Sequence, residues 1–143
     1  MANSYLSDEQ IQLIQLIQDS FAKAAPVAPL LAERFYAQLF AQEPELRHLF
    51  KDDMGEQRRA LMVTLGAIVS SLSNPQFLVP MAKKLGQRHV GYGVHAEHYG
   101  MVGTALLGAL AMTLGADFTP AVREAWTEAY TVLSSVMAEA PAA

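Results

Sequence analysis

Apolar residues recur every three or four positions along most of this chain, which is the spacing of amphipathic α-helices. The first series consists of Ile11, Ile14, Ile17 and Phe21. Ser7 precedes this series, and Gln10 lies three residues after Ser7, an arrangement typical of a capping box at a helix N-terminus. No segment alternates between apolar and polar residues as a half-buried strand would. The pattern therefore predicts a helical chain that begins near Ser7.

Prolines and glycines divide the rest of the pattern into further helices. Pro26 and Pro29 separate the first helix from a second one, and Pro44 begins a short turn. The apolar face of the second helix carries Leu31, Phe35 and Leu39. A third helix is predicted from about Gly55 to Leu72.

Three more helices are predicted in the second half of the chain. Asn74-Pro75 opens the fourth helical region, but Pro80 restricts the regular helix to about residues 80–90. The fifth is expected from about His95 to Leu114, and Thr119 with Pro120 begins the sixth. We therefore expect an all-α protein with about six main helices and short turns.

The composition fits one packed domain. The chain has 143 residues, of which 52% are hydrophobic, and this is enough for a sizeable core. We expect a single domain over residues 1–143 with a disordered tail from about residue 139. The net charge is −4 and the basic residues are scattered, so nucleic acid is not an expected partner. The first residues lack the features of a signal peptide, and we expect a cytoplasmic protein.

Two long stretches carry no charged side chain, residues 60–82 and 98–116. Each is long enough to raise the question of a membrane span. Asn74-Pro75 interrupts the first, and the second contains four glycines together with His98 and Tyr99. We interpret both as buried helices and expect no membrane insertion.

Three of the four histidines lie within residues 85–100. His89 ends a helix before a glycine-containing corner, where it could stabilise the helix dipole as a cation or bind a metal as neutral imidazole. His95 and His98 are one turn apart, but no third ligand accompanies them, and we expect surface or capping roles for both. His48 is expected to face solvent.

The joint spacing of several residues resembles the globin family. Tyr36 lies fourteen residues before Phe50, and Gln57 lies seven after it. The other marks are Pro44, His89, the HYGMVG segment that follows the corner, Trp126 and Tyr130. The chain looks most similar to the haem domain of bacterial flavohaemoglobins and to the related single-domain bacterial haemoglobins. The resemblance implies the globin fold and a haem; because there is no cysteine, the haem would be held non-covalently, as haem b.

The resemblance also implies a role for individual residues. His89 would be the proximal ligand of the iron, Tyr36 and Gln57 would donate hydrogen bonds on the opposite, distal face, and Phe50 would wedge the haem. The other implied haem contacts are Phe40, Leu61, Leu85, Arg88, Val94, Tyr99 and Val102. Lys83, Lys84 and Arg88 could pair with the haem propionates or form an ordinary solvated face.

The helical spacing is compatible with these roles. Gln57 and Leu61 are four residues apart, so an amide and an apolar side chain share one helix face. Leu85 and His89 have the same spacing. A glutamine amide is a poor iron ligand, and the sixth coordination position is therefore expected to stay open for a gas.

The resemblance implies three alternative functions. The first is reversible, high-affinity O2 binding at a pentacoordinate iron, as a carrier, store or scavenger. The second is nitric oxide dioxygenation, which would require a separate reductase because 143 residues hold only the globin part of a flavohaemoglobin. The third is gas sensing. The expected ligands are O2 and also NO and CO.

One position departs from the flavohaemoglobin pattern. That family places a glutamate near the proximal histidine, fifteen residues after the tryptophan of the last helix. Counted from Trp126, this position is Pro141, and the nearest acidic residue is Glu139. An offset of two residues turns a side chain by about 200° around a helix. We therefore expect weaker proximal electron donation here than in flavohaemoglobins.

Overall fold

Six α-helices joined by short turns make up the described part of the chain. The structure is a computed structural model that describes residues 6–91 and 98–139. The helices are α1 (Asp8–Ala24), α2 (Ala28–Gln42), α3 (Gly55–Ser71), α4 (Pro75–Gly91), α5 (His98–Leu114) and α6 (Pro120–Glu139). Short 3-10 turns lie at Ala25–Val27, Pro44–Leu49 and Gly115–Asp117. Since these two ranges contain helices and no strand, the predicted all-α class is confirmed.

The N-terminus of α1 has the predicted capping box. The Ser7 hydroxyl accepts a hydrogen bond from the Gln10 backbone N–H at 3.1 Å, and the Ser7 backbone N–H donates to Gln10 Oε1 at 2.9 Å. At the start of α6, the Thr119 hydroxyl likewise accepts from the Val122 N–H at 3.2 Å. In both places a short polar side chain satisfies a backbone donor that the helix itself leaves unpaired.

The predicted start of α4 at Pro80 is wrong, because the helix begins at Pro75. The Asn74 carbonyl accepts hydrogen bonds from the Phe77 and Leu78 N–H groups and so starts the first turn. Pro80 lacks an N–H and leaves the Gln76 carbonyl without its helical donor. Both Gln76 and Pro80 are exposed, so water can satisfy that carbonyl, and the helix continues through the proline.

The start of α5 and the end of α6 both lie next to residues that the structure does not describe. Helix α5 begins at His98, and residues 95–97 of its predicted first turn lie outside the described residues. Helix α6 continues through Glu139, the residue at which the tail was expected to begin.

Two groups of buried apolar side chains hold the helices together. The larger one, called the main core below, includes Ile17, Leu31, Phe35, Leu39, Leu106, Leu110 and Trp126 from α1, α2, α5 and α6. The smaller one, called the small cluster, consists of Ala82, Tyr99 and Met137, with Leu85, Leu133 and Val136 packed against it. The small cluster therefore joins α4 to α5 and α6.

Two glycines allow α6 to approach its neighbours closely. A Cβ atom at Gly86 of α4 would lie 2.8 Å from the Met137 Cα, and one at Gly103 of α5 would lie 2.7 Å from the Tyr130 ring. Real Cβ atoms essentially never come within 3.0 Å of such atoms. Gly86 therefore sets the backbone distance between α4 and α6.

Helix α5 is the most apolar element. Residues 98–117 are long and apolar enough to cross a membrane by length and composition alone. The buried residues of α5 are Tyr99, Gly103, Ala105, Leu106, Ala109, Leu110 and Leu114. Several of them belong to the main core, so burial within the protein accounts for much of this apolar character.

A cavity of about 240 Å³ lies among α1, α3, α4 and α6, and its lining is almost entirely apolar. Its walls include Ile17, Leu72, Leu78 and Leu133. Trp126 and Tyr130 also line this cavity, whereas Tyr36, Gln57 and His89 do not.

Candidate functional site

Tyr36 lies at the centre of an aromatic group on the inner face of α2. Its ring is 4.9 Å from that of Phe35, 5.9 Å from that of Phe40 and 5.5 Å from that of Phe50, measured between centroids. Only 6% of Tyr36 is exposed, so these contacts hold the ring and fix the position of its hydroxyl.

Gln57 provides the polar partner of this tyrosine. Its Nε2 donates a hydrogen bond to the Tyr36 hydroxyl oxygen at 3.0 Å. Burial raises the pKa of Tyr36, and the hydrogen bond from Gln57 opposes that shift in part. Because the hydroxyl oxygen is already the acceptor from Gln57, the hydroxyl hydrogen of Tyr36 can be offered to a third group.

Gln57 is held less firmly than Tyr36. It is the third residue of α3, and it is exposed although its amide reaches the buried hydroxyl. The N-cap residue Met54 makes no side-chain capping hydrogen bond, while the Gly55 N–H is bonded to Asp53 Oδ1 at 2.9 Å. A first-turn glutamine has more freedom to move than a packed aromatic ring.

Phe50 closes the aromatic group from the turn that follows α2. Its ring lies 5.4 Å from the Phe40 ring, nearly edge to face. Phe40, Phe50 and Leu61 are half-buried and pack against the main core together with Val102. The structure therefore brings together the residues expected on the distal side.

His89 lies near the C-terminal end of α4. Its Nδ1 is 2.6 Å from the Leu85 carbonyl oxygen, one turn earlier in the helix. A carbonyl oxygen can only accept, so Nδ1 is the donor in this contact. A neutral imidazole oriented in this way by a backbone carbonyl is a suitable ligand for a metal through Nε2.

Leu85 and Tyr99 belong with the small cluster, whereas the distal residues belong with the main core. Ala82 and Leu85 of the small cluster are on the same helix, α4, as His89. The tyrosine–glutamine pair and the histidine are thus associated with two different apolar groups.

Tyr99 and Tyr130 connect α5 to α6 near the small cluster. The Tyr130 hydroxyl donates to the Tyr99 backbone carbonyl at 2.7 Å. Burial raises the pKa of both tyrosines, and for Tyr130 the neighbouring Tyr99 raises it further. Both rings therefore stay neutral at physiological pH.

Met137 takes the buried place on α6 next to Tyr99. Only 7% of Met137 is exposed, and its backbone meets Gly86. Glu139, two residues later, is exposed. Among the described residues of α6, Met137 and not Glu139 is therefore the one packed beside Tyr99.

Four further predicted residues are exposed, and two lie outside the described residues. Lys83, Lys84 and Arg88 are exposed on α4, and His48 is exposed in the turn after α2. Val94 and His95 lie outside the described residues. Over residues 6–91 and 98–139, no three histidine or acidic side chains are grouped as a metal site.

Sequence reasoning did not identify three features of the site. Arg47 donates hydrogen bonds to the carbonyls after the turn, and Met137 is buried beside Tyr99. The hydrogen bond from Tyr130 to Tyr99 was also not foreseen. A glycine inside a predicted helix, Gly86, was the available signal for the close α4–α6 contact. Nothing in the sequence distinguishes Arg47 from an ordinary surface arginine.

Comparison with known proteins identifies the family to which the chain belongs. A family model described as Globin matches residues 33–137. Among curated proteins, the chain is 35% identical over 127 residues to the Flavohemoprotein of Xylella fastidiosa strain Temecula1, covering 87% of this chain and 32% of that protein. It is 32% identical over 126 residues to the Flavohemoprotein of Rhodopirellula baltica, covering 86% of this chain and 31% of that one. The chain thus spans about a third of the length of these relatives.

Two solved structures are similar over nearly the whole chain. A bacterial globin from Campylobacter jejuni superposes with a TM-score of 0.76 at 27% identity, covering 93% of this chain and 94% of that one. An engineered carbene transferase, provisionally assigned as a nitric oxide dioxygenase from Rhodothermus marinus, gives a TM-score of 0.80 at 30% identity. That likeness covers 93% of this chain and 91% of the other.

Proposed function

This chain belongs to the globin family, and on that premise we propose that it is a haem protein that binds dioxygen reversibly and retains it strongly. The observation that carries the proposal is the Tyr36–Gln57 hydrogen bond, a polar pair set in an otherwise aromatic and apolar group. The proposed role is that of an oxygen carrier, store or scavenger.

The residues present fit a haem. The Leu85 carbonyl orients the His89 ring through Nδ1, and an imidazole nitrogen is the usual proximal ligand in globins. Phe50, Leu61, Val102 and Leu85 offer apolar surface for a porphyrin. Because the chain has no cysteine, we propose a non-covalent haem of the b type. When bound, the haem would supply an iron with an open position for a diatomic gas.

The distal residues determine how strongly a gas is held. Tyr36 keeps its hydroxyl hydrogen available, and a hydrogen bond to a ligand that carries negative charge is worth about 1.5–3 kcal/mol. The Tyr36 hydroxyl would favour a diatomic ligand that acquires negative charge, such as dioxygen, over the less polar carbon monoxide. One such bond would slow release by roughly ten- to a hundred-fold. Slow release suits retention better than easy delivery.

The proximal residues shape the other face. The Leu85 carbonyl orients the His89 ring, while Met137 and Tyr99 supply a neutral, apolar surrounding on the neighbouring helices. The buried residue on α6 beside Tyr99 is Met137, while Glu139 is exposed. We propose that this favours gas binding over cleavage of the O–O bond.

The second candidate function is nitric oxide dioxygenation. The observation that favours it is the similarity to several flavohemoproteins and to the Rhodothermus marinus protein. This reaction would convert NO and O2 to nitrate and would require a reductase, which we propose is a separate protein, as the electron source. The Tyr36–Gln57 pair would serve this reaction as well, by retaining dioxygen until NO arrives.

Spectroscopy of the haem-reconstituted protein tests the main proposal. Visible absorption spectra of the oxidised, reduced and oxygenated forms should show one bound haem per chain and reversible binding of O2. Stopped-flow measurement should then give slow O2 release. A protein that takes up no haem, or that releases O2 as fast as Tyr36→Phe, would contradict the proposal.

A second measurement separates carrier from catalyst. NO consumption would be followed over many turnovers, with and without an added flavin-dependent reductase. Sustained consumption only with the reductase would establish the dioxygenase role, whereas a single turnover in both samples would leave the carrier role as the function.

A further inference from the structure

We infer that Arg47 is a positioning residue that fixes Phe50 and the start of α3, and thereby holds the haem and the distal glutamine in place. This inference rests on the proposed haem function. Arg47 belongs to the 3-10 turn Pro44–Leu49 and is half-buried.

The guanidinium of Arg47 donates hydrogen bonds to three consecutive backbone carbonyl groups. Its Nη1 donates to the Phe50 oxygen at 3.3 Å and to the Lys51 oxygen at 2.8 Å, and its Nη2 donates to the Asp52 oxygen at 2.9 Å. Residues 51–54 have no helical hydrogen-bond ladder of their own, since the turn ends at Leu49 and α3 begins at Gly55. One side chain therefore supplies donors to the carbonyls that this connection leaves unpaired.

The same guanidinium lies against the aromatic group. Its Cζ is 5.6 Å from the centroid of the Phe40 ring, within the range of a cation–π contact. Phe40 in turn contacts both Phe50 and Tyr36. Arg47 thus contacts Phe50 in two ways. It donates a hydrogen bond to the Phe50 backbone carbonyl, and it lies against the Phe40 ring, which in turn contacts the Phe50 ring.

The connection that Arg47 holds leads directly to Gln57. Met54 is 8% exposed and accepts a hydrogen bond from the Arg58 N–H at 2.9 Å, while the Asp53 carboxylate accepts from Gly55. Because α3 lacks a side-chain cap at Met54, the position of its first turn depends on how residues 50–53 are fixed. Arg47 therefore connects the aromatic group to the first turn of α3, which carries the glutamine.

Lysine cannot reproduce this arrangement. A planar guanidinium can direct parallel N–H groups to neighbouring oxygens and stack on a ring at the same time, whereas an ammonium group is a compact point charge. Arg47→Lys therefore keeps the charge and removes the fork, and Arg47→Ala removes both. Arg34 offers a matched control, since it is also half-buried and, among the described residues, donates to Thr113 Oγ1 at 3.2 Å.

Amide hydrogen exchange on the haem-free protein tests the contact itself. We expect exchange in the segment 48–60 to become at least about five-fold faster in Arg47→Ala and Arg47→Lys, with α6 unchanged. Arg34→Ala should leave that segment as in the wild type. Equal exchange of residues 48–60 in all four proteins would overturn the inference, and this result does not depend on haem.

Haem release tests the consequence. Transfer of haem to an excess of a competing apo-globin should be at least about five-fold faster from both Arg47 variants than from the wild type and Arg34→Ala, at matched thermal stability. Either of two results would refute the role of the planar guanidinium: an unchanged rate of haem release from Arg47→Ala, or a wild-type rate from Arg47→Lys. If the wild type itself binds no haem, the proposed function fails, while the exchange experiment still decides whether Arg47 fixes the segment.

Discussion

Tyr36 and Gln57 differ in how firmly each is held, and this difference assigns them different roles. The tyrosine ring is packed on three sides by phenylalanines, whereas the glutamine projects from an exposed first turn and depends on a single hydrogen bond to reach inward. A donor that is already fixed loses little entropy when it binds a ligand. Tyr36 is therefore expected to be the main donor, and Gln57 is expected to orient the tyrosine and to swing aside when a ligand enters.

Replacement of the two residues separates these roles. Tyr36→Phe keeps the ring and removes the hydroxyl, so it should raise the O2 dissociation rate at least ten-fold, which corresponds to about 1.4 kcal/mol. Gln57→Leu should raise the rate less and can speed ligand entry. Stopped-flow O2 dissociation from both variants measures the difference. A larger effect from Gln57→Leu would make the glutamine the main donor.

His89 is expected to be the iron ligand. Replacing it with alanine removes the imidazole that the Leu85 carbonyl orients, so the normal spectrum of five-coordinate reduced haem should be lost. His48→Ala is the control, because His48 is exposed in the turn after α2. Absorption spectra after reconstitution provide the measurement. Loss of the spectrum in His95→Ala or His98→Ala, with retention in His89→Ala, would reassign the ligand.

At the scale of helices, the contact between α4 and α6 determines where the His89 helix lies. Gly86 is one turn from His89 and meets the backbone of Met137, so any larger residue there must push the two helices apart. The small cluster is built around this contact. The position of His89 is therefore coupled to the packing of α6.

Gly86→Ala should consequently destabilise the protein although alanine favours helices. We expect a loss of about 1–3 kcal/mol in the free energy of unfolding, because the new methyl group overpacks the α4–α6 contact. Gly100→Ala is the matched control: Gly100 is also helical, but a Cβ there meets nothing within 4 Å. That variant should be stabilised by about 0.5–1 kcal/mol. Urea unfolding curves of both variants measure these changes in the free energy of unfolding. Equal free energies in the two variants would show that α4 can move away from α6 without cost.

The helices themselves were largely predictable because their signals are local. Ser7 and Gln10 form the expected capping box, and Thr119 accepts the expected hydrogen bond at the start of α6. The start of α4 was not predicted, because solvent exposure of the Gln76 carbonyl decides whether Pro80 is tolerated, and exposure is a property of the folded chain.

The candidate site was predictable only where spacing carries the information. The resemblance to globins, which rests on spacing along the chain, identified four candidate site residues: Tyr36, Phe50, Gln57 and His89. The contacts of Arg47 and Met137 join segments whose relative positions only the tertiary structure defines. An arginine in a turn and a methionine in a helix have no distinctive local pattern, and their roles could not be foreseen.

For the molecule as a whole, the buried tyrosines predict sensitivity to alkaline pH. Burial raises the pKa of Tyr36, Tyr99 and Tyr130 above the ordinary value of 10.0. The unfolded chain therefore releases these protons at lower pH than the folded protein does. The stability that the neutral hydroxyls contribute is complete below about pH 10 and falls as the pH rises above that value.

Urea unfolding near neutral pH and at about pH 11 measures this effect. The free energy of unfolding should be lower at about pH 11, and the loss should be smaller in Tyr130→Phe, which removes the most strongly shifted group. Tyr130→Phe also removes the hydrogen bond to the Tyr99 carbonyl, so each variant is compared with itself across pH. An identical pH dependence in both proteins would exclude Tyr130 as a contributor.

The burial of Met137 also bears on how the protein withstands oxidants. The chain has no cysteine, so thioethers are its only sulfur groups and no thiol can be nitrosated or oxidised. Met137 is 7% exposed at the α4–α6 contact, whereas Met112 is 59% exposed on α5, where Gln38 donates to its sulfur at 3.1 Å. A sulfoxide at Met137 would place a polar group in the small cluster, while one at Met112 would remain in solvent. An oxidant in solution therefore reaches Met112 more readily than Met137, and modification of Met112 leaves the small cluster intact.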